Sequence, residues 1–224
     1  MKMVQNYPEG LLKAFNVDMT AFSTSFNAFL AAENFSFMWP ILAIMIGIGY
    51  GSASIAGEIE KGTIEIMLAM PVSRLKIFFS KYLAGIFGIT IFTVLSITSI
   101  YLLATAFSVE SSLGGVLAMT ALGLLFAGAI FSLTMLFSTL FSEKGKASMS
   151  VLGIILPMYA LNLVASLQEN LNGLKYLSFF YYFDANNALL NNTITGTTLI
   201  IFGLTIIGTT ITAAVRFMKR DVAI

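Results

Sequence analysis

The chain contains neither cysteine nor histidine. That removes disulfide staples, thiolate nucleophiles, imidazole bases and the commonest zinc ligands together. Charge is scarce as well: 12 Lys and Arg and 11 Asp and Glu make up 10% of 224 residues. A soluble domain carries roughly a quarter of its residues as charges, so this chain has too few to solvate a globule. What replaces them is apolar, 58% of the residues, with a mean hydropathy of +0.90. The composition is that of a membrane protein. The net charge of +1 says nothing about partners, though its distribution does; no nucleic-acid partner is expected.

A bilayer core requires about 20 mostly apolar residues per helix. Five runs reach that length without an internal charge: about 36–57, 82–107, 113–141, 147–167 and 197–215. The dyad alternation of a transmembrane barrel is missing. The expected fold is therefore all-α, a polytopic helical membrane protein with five transmembrane helices in one domain over 36–224. Placing the C-terminus in the cytoplasm puts Lys61, Arg74, Lys76, Lys81, Lys144, Lys146, Arg216, Lys219 and Arg220 inside, with only Lys2, Lys13 and Lys175 outside. Nine against three is a clear positive-inside bias.

In that orientation residues 1–35 form an extracytoplasmic segment. A stripe of Phe15, Met19, Phe22, Phe26 and Phe29 suits an amphipathic helix at the membrane interface, or a cap packed on the spans. With no signal peptide before it, a preceding first span is expected to be absent. The outer loop 168–196 carries "LKYLSFFYYFDANNALLNN", with three tyrosines and three phenylalanines close together. Such rings concentrate at membrane interfaces, so an interfacial or re-entrant helix is expected there.

Enzymatic sites are not in evidence. Zinc proteolysis and serine–histidine hydrolysis both require histidine. The three aspartates, Asp18, Asp184 and Asp221, all fall in loops or tails, which excludes an intramembrane aspartyl dyad. The runs carry no ionisable side chain of the kind ion-coupled transporters place near the midplane. "SEKGKAS" lacks the spacing of a phosphate-binding loop. The twelve methionines show no ligand spacing and read as packing residues. No catalytic, cofactor-binding or metal residue is expected in this chain.

The loop between the first two runs stands out. "GEIEKGTIEIMLAMPVSR" holds Glu58, Glu60, Lys61 and Glu65 within eight positions, and the loop 58–81 is about twice as long as a helix–helix turn requires. Gly62 permits a turn; Thr63 is a candidate cap for a helix beginning at Ile64, with Glu65 near its positive end; Pro71 breaks that helix, and Ser73 can cap one through Arg74 and Lys76. A short amphipathic element with acidic edges fits either docking of a cytoplasmic partner or anchoring at the interface.

The string "IAGEIEKGTIEIMLAMPVSRLKIFFSKYLAG" resembles the signature of the ABC-2 type permeases, membrane subunits of ATP-binding cassette transporters. The matching positions are Glu58, Gly62, Thr63, Glu65, Pro71, Ser73, Arg74 and Lys81. "SFFYYFD" at Ser178 to Asp184 and the closing Phe217 to Asp221 resemble two further elements of the family. The resemblance implies six spans with both termini inside, of which this chain has five, and a short cytoplasmic coupling helix. It implies a homodimer or pseudo-dimer of permease subunits in the lipid bilayer of the cell membrane. Each subunit would seat its coupling helix in a separate ATP-binding subunit, which binds the ATP and Mg. Glu58, Glu60, Gly62, Thr63, Ile64, Glu65, Met67, Leu68, Pro71, Ser73 and Arg74 are the expected docking residues. Ile64 to Met70 would supply apolar contacts and the glutamates charge complementarity; Arg74 and Lys81 would anchor at the membrane edge. The implied function is export of a hydrophobic or amphipathic compound. The alternatives are a scaffold or sensor using the same loop, or a permease for an ion or metal-related substrate.

Overall fold

The computed structural model describes residues 30–107 and 112–220. The aromatic stripe from Phe15 to Phe29, and Asp221, lie outside the described residues. Within them every regular element is helical. A π-helical stretch Ala31–Met38 leads into α1 (Trp39–Ser54), followed by α2 (Ala56–Glu60), α3 (Thr63–Ala69), α4 (Arg74–Ala106), α5 (Leu113–Leu140) and α6 (Lys144–Leu167). A 3-10 helix Glu169–Leu177, α7 (Phe179–Tyr182), α8 (Ala185–Asn191) and α9 (Gly196–Lys219) complete the order. Five helices are long and apolar enough to cross a membrane: Asn34–Ser54, α4, α5, α6 and α9.

Local chemistry explains where the helices start and stop. Pro40 has no amide for the Ser36 carbonyl, and the turn ahead of it widens: Ser36 Oγ reaches the Ala31 carbonyl at 2.7 Å and the Trp39 amide goes to Asn34. Ser73 receives the Lys76 amide at 3.3 Å, the N-cap geometry. Nothing between Arg74 and Tyr82 then breaks the helix. The second spanning helix therefore starts at Arg74, not near Tyr82, and the loop expected to run to Lys81 ends at Ser73. At 33 residues α4 is about 50 Å long, more than a bilayer core of about 30 Å needs.

The chain divides into two compact units. One comprises residues up to Leu42, Thr93–Phe126 and Leu156–Leu199. Its centre is aromatic: Trp39 stacks on Phe183 at 5.6 Å, Phe183 meets Phe126 at 4.7 Å, and Phe180 contacts Phe126 and Tyr159. Trp39 Nε1 donates to Ser96 Oγ at 2.9 Å. The "SFFYYFD" stretch is shaped by two caps: Ser178 Oγ accepts from Phe180 N and Asp184 Oδ1 from Asn187 N. Between these caps Phe183 is buried and Phe180 half-buried, whereas Tyr181 stays exposed.

The other unit comprises Ala43–Phe92, Ala127–Ile155 and the residues from Ile200 on. Here α1 and α5 approach closely across Gly47 and Gly51, a Gly-x-x-x-Gly pair. A Cβ on Gly51 would lie 2.6 Å from Thr134 Cβ, and one on Gly47 3.2 Å from Ile130. Tyr82 joins three helices, its hydroxyl 2.7 Å from Ser132 Oγ on α5 and accepting from Thr210 on α9 at 2.9 Å.

Candidate functional site

The charged segment belongs wholly to this second unit, and it begins at a break. At Ile55 the backbone leaves helical geometry (φ −120°), which frees amides that a continuous helix would pair. Ser138 of α5 takes them: its Oγ accepts from Ile55 N at 3.2 Å and Ala56 N at 2.8 Å and donates to the Ser52 carbonyl at 3.2 Å. One hydroxyl has one proton and two lone pairs, so its capacity is filled. Ser138, Ile55 and Ala56 are fully buried. Ser138→Ala orphans two buried amides and is expected to cost about 2–6 kcal/mol, at 1–3 kcal/mol for each lost partner. A lowered melting temperature with normal membrane insertion is the expected measurement.

After α2 the chain reverses at Gly62, whose φ of +71° is left-handed, the conformation that favours glycine. Gly62 thereby takes the N-cap position of α3, and α3 begins at Thr63. Thr63 is thus not the cap its sequence position implied. Its hydroxyl instead turns back to Glu58, donating to the carbonyl and to carboxylate Oε2. Glu58 Oε1 pairs with Lys81 Nζ of α4 at 2.6 Å.

Burial alone would push the Glu58 carboxyl up. The hydrogen bonds from Lys81 and Thr63, with the charges of Lys81 and Lys61, outweigh it and hold the group below its ordinary value. Because the folded value is the lower one, this fastening is fully present above the unfolded carboxyl value of about 4.3. It is lost as pH falls through the folded value. A nitroxide on an introduced Ala69→Cys, in a chain with no other cysteine, should keep one mobility from pH 7 to about 5. It should loosen only in stronger acid; loosening near pH 6 would contradict the pairing.

The remaining predicted residues separate into two groups. Glu60, expected to face a partner, accepts the Lys144 amide at 2.8 Å and so caps the first turn of α6. Arg74, expected as a membrane-edge anchor, donates to the Arg220 carbonyl at 2.5 Å. Ile64, expected among the docking contacts, is fully buried and can touch no partner in this arrangement. Met67 and Leu68 are half-buried, and Ser73 has its hydroxyl on α4. Glu60, Gly62 and Ser73 are exposed despite these roles, and Glu65, Ile66, Ala69, Met70, Pro71 and Val72 are exposed on and after α3. Ile66 and Met70 lie one turn apart on α3 and its C-cap, 69% and 48% exposed.

Arg220, counted among the inside cations and within the closing motif, has a structural role that the sequence did not signal. Its guanidinium donates to the carbonyls of Thr139 and Phe141 at 2.8 and 2.9 Å and to Ser142 Oγ at 2.7 Å. A cation on the open carbonyls of a helix C-terminus is favourable. Burial lowers its pKa, as does the charge of Arg216. Phe217, fully buried, packs on Phe78 of α4 at 6.2 Å.

The segment thus presents a short helix with an apolar stripe and one acidic side chain, fastened to α4 by Glu58 and to α6 by Glu60, with Thr63 bracing Glu58. Among the described residues no group of His, Cys, Asp and Glu could hold a metal ion. The family description "ABC-2 family transporter protein" matches residues 4–222 of the chain. No curated protein matches it.

Proposed function

The chain belongs to the ABC-2 family of transporter proteins, as a membrane permease component and not the ATPase, and from that premise we propose that α3 is its coupling helix, docking a separate ATP-binding subunit from the cytoplasmic side. The observation that carries this reading is the exposed stripe Glu65, Ile66, Ala69 and Met70 on a helix whose other face is pinned by buried Ile64. An isolated helix of seven residues would not hold its shape in water. Here the Glu58–Lys81 pair, the Thr63 hydrogen bonds and the left-handed Gly62 hold it. Apolar side chains on a rigid support are how a helix anchors in a groove.

The proposal places the C-terminus and the loop 58–73 in the cytoplasm, on the positive-inside bias. Two permease subunits, identical or related, stand in the cell membrane with two ATP-binding subunits, which hold the ATP and Mg. Closure of the ATP-binding pair displaces α3 and so rearranges the spans. The proposed cargo is a hydrophobic or amphipathic compound moved outward, a choice supported by spans that carry no midplane charge. The test is co-purification with the ATP-binding subunit from the same cells, comparing the wild type with Ile66→Asp. Association that the wild type has and the variant loses supports docking at α3. Equal association places the contact elsewhere, and no ATP-binding subunit with either form favours the scaffold reading.

A further inference from the structure

The turn at Phe141, Ser142 and Glu143 joins α5 to α6, and it is held from two directions. On the α5 side Arg220 grips the carbonyls of Thr139 and Phe141 and the hydroxyl of Ser142, and the Arg220 carbonyl is itself held by Arg74. On the α6 side the only hold from the charged segment is Glu60, on the Lys144 amide. Both holds end on backbone groups at helix termini. Those groups move with their helices.

We propose that Glu60 is a positioning residue that makes the first turn of α6 follow the α2–α3 segment, while Arg220 keeps the end of α5 in place. A displacement of α3 would then reach two spanning helices by separate routes, α4 through Glu58 and Lys81 and α6 through Glu60. Glu58 and Glu60 lie two residues apart on α2, so one short helix drives both. Glu65 is exposed and, among the described residues, without a hydrogen bond or ion pair, so it is the glutamate of the segment with no structural partner. The transmission role rests on the docking of α3 proposed above; the cap itself does not.

The test is site-resolved amide exchange of the full chain in lipid nanodiscs, alone and with the co-purifying ATP-binding subunit. Alone, Glu60→Ala should speed exchange of the Lys144 amide roughly three- to tenfold, as removing an N-cap acceptor does. Glu65→Ala should leave it unchanged. With the subunit bound, the wild type should show slowed exchange at Lys144, away from the docked helix. Glu60→Ala should keep the association and lose that distant response. Unchanged basal exchange in Glu60→Ala overturns the proposal, because the cap would then not form. A distant response that survives in Glu60→Ala overturns it too, because α6 would be reached by another route. Association without any response at Lys144 in the wild type overturns transmission and leaves docking standing. Absence of association overturns docking and transmission together, and the basal comparison then still decides the cap.

Discussion

Gly85→Ala is expected to be among the most destabilising single-methyl changes in the chain. A Cβ at that position would sit 2.3 Å from Cζ and 2.4 Å from Cε2 of Phe131. The Phe131 ring is fully buried and has no easy retreat. It lies 5.2 Å from the Tyr82 ring, and the Tyr82 hydroxyl is engaged with Ser132 and Thr210. Alanine gains about 1 kcal/mol over glycine in a helix interior. Overpacking a tight core costs about 1–3 kcal/mol, occasionally more. With the ring confined as it is, the upper end applies, and the clash wins by about 2 kcal/mol. Gly153→Ala supplies the control, since Gly153 is in the interior of α6 with nothing within 4 Å of an added Cβ. Thermal unfolding of the purified chain should place Gly85→Ala several degrees below wild type and Gly153→Ala at or above it. Equal midpoints for the two alanine variants would mean that α4 and α5 do not meet as described.

Ile66→Asp is expected to abolish capture of the ATP-binding subunit while leaving the permease folded. Ile66 is 69% exposed, and exposed substitutions away from caps and special backbone usually stay within about 0.5 kcal/mol. If its side chain anchors in a groove of the partner, losing it costs about 2 kcal/mol or more. Burying an unpaired carboxylate in the same place adds to that. The dissociation constant should rise about thirtyfold at least, enough to empty a co-purification. Met70→Asp should act in the same direction. Ile64→Asp should fail differently, by loss of the folded chain, because Ile64 is buried inside its own unit. Separate readouts of folding and association distinguish the two faces of α3. A folded Ile64→Asp would show that the face assignment is reversed.

These two predictions draw on different parts of what the sequence contains. Gly47 and Gly51 form a Gly-x-x-x-Gly pair that can be read from "GIGYG" alone, whereas the partner of Gly85 is Phe131, which no spacing rule indicates. The caps at Ser73, Ser178 and Asp184 were local signals, each within three residues of the amide it receives. Thr63 carried the same kind of signal and failed it. Gly62 took the cap position through its left-handed backbone, and the Thr63 hydroxyl found the Glu58 carbonyl and carboxylate five residues back.

The glutamates of the charged segment are the sharper case. In sequence they form one acidic cluster; in the fold they have three different fates. Glu58 binds Lys81, 23 positions away, Glu60 caps a helix whose first amide is 84 positions away, and Glu65 stays exposed. Arg220 likewise spends its guanidinium on carbonyls 79 and 81 positions upstream.

Composition by itself determined the solvent of this protein, because the cost of transfer into a bilayer is nearly additive along a run of residues. It determined the helical class for the same reason, since a helix satisfies its backbone within one segment. The family signature between Glu58 and Lys81 marked the segment proposed above as the docking element. Only the tertiary structure decided which of those residues hold the segment and which it offers. Burial of Ile64, capture of the Ile55 and Ala56 amides by Ser138 and the helix-end contacts of Glu60 and Arg220 all depend on segments far apart in the chain. The capture of the Ile55 and Ala56 amides follows from the cost of leaving a buried polar group unpaired, and the burial of Ile64 from removing its apolar surface from water.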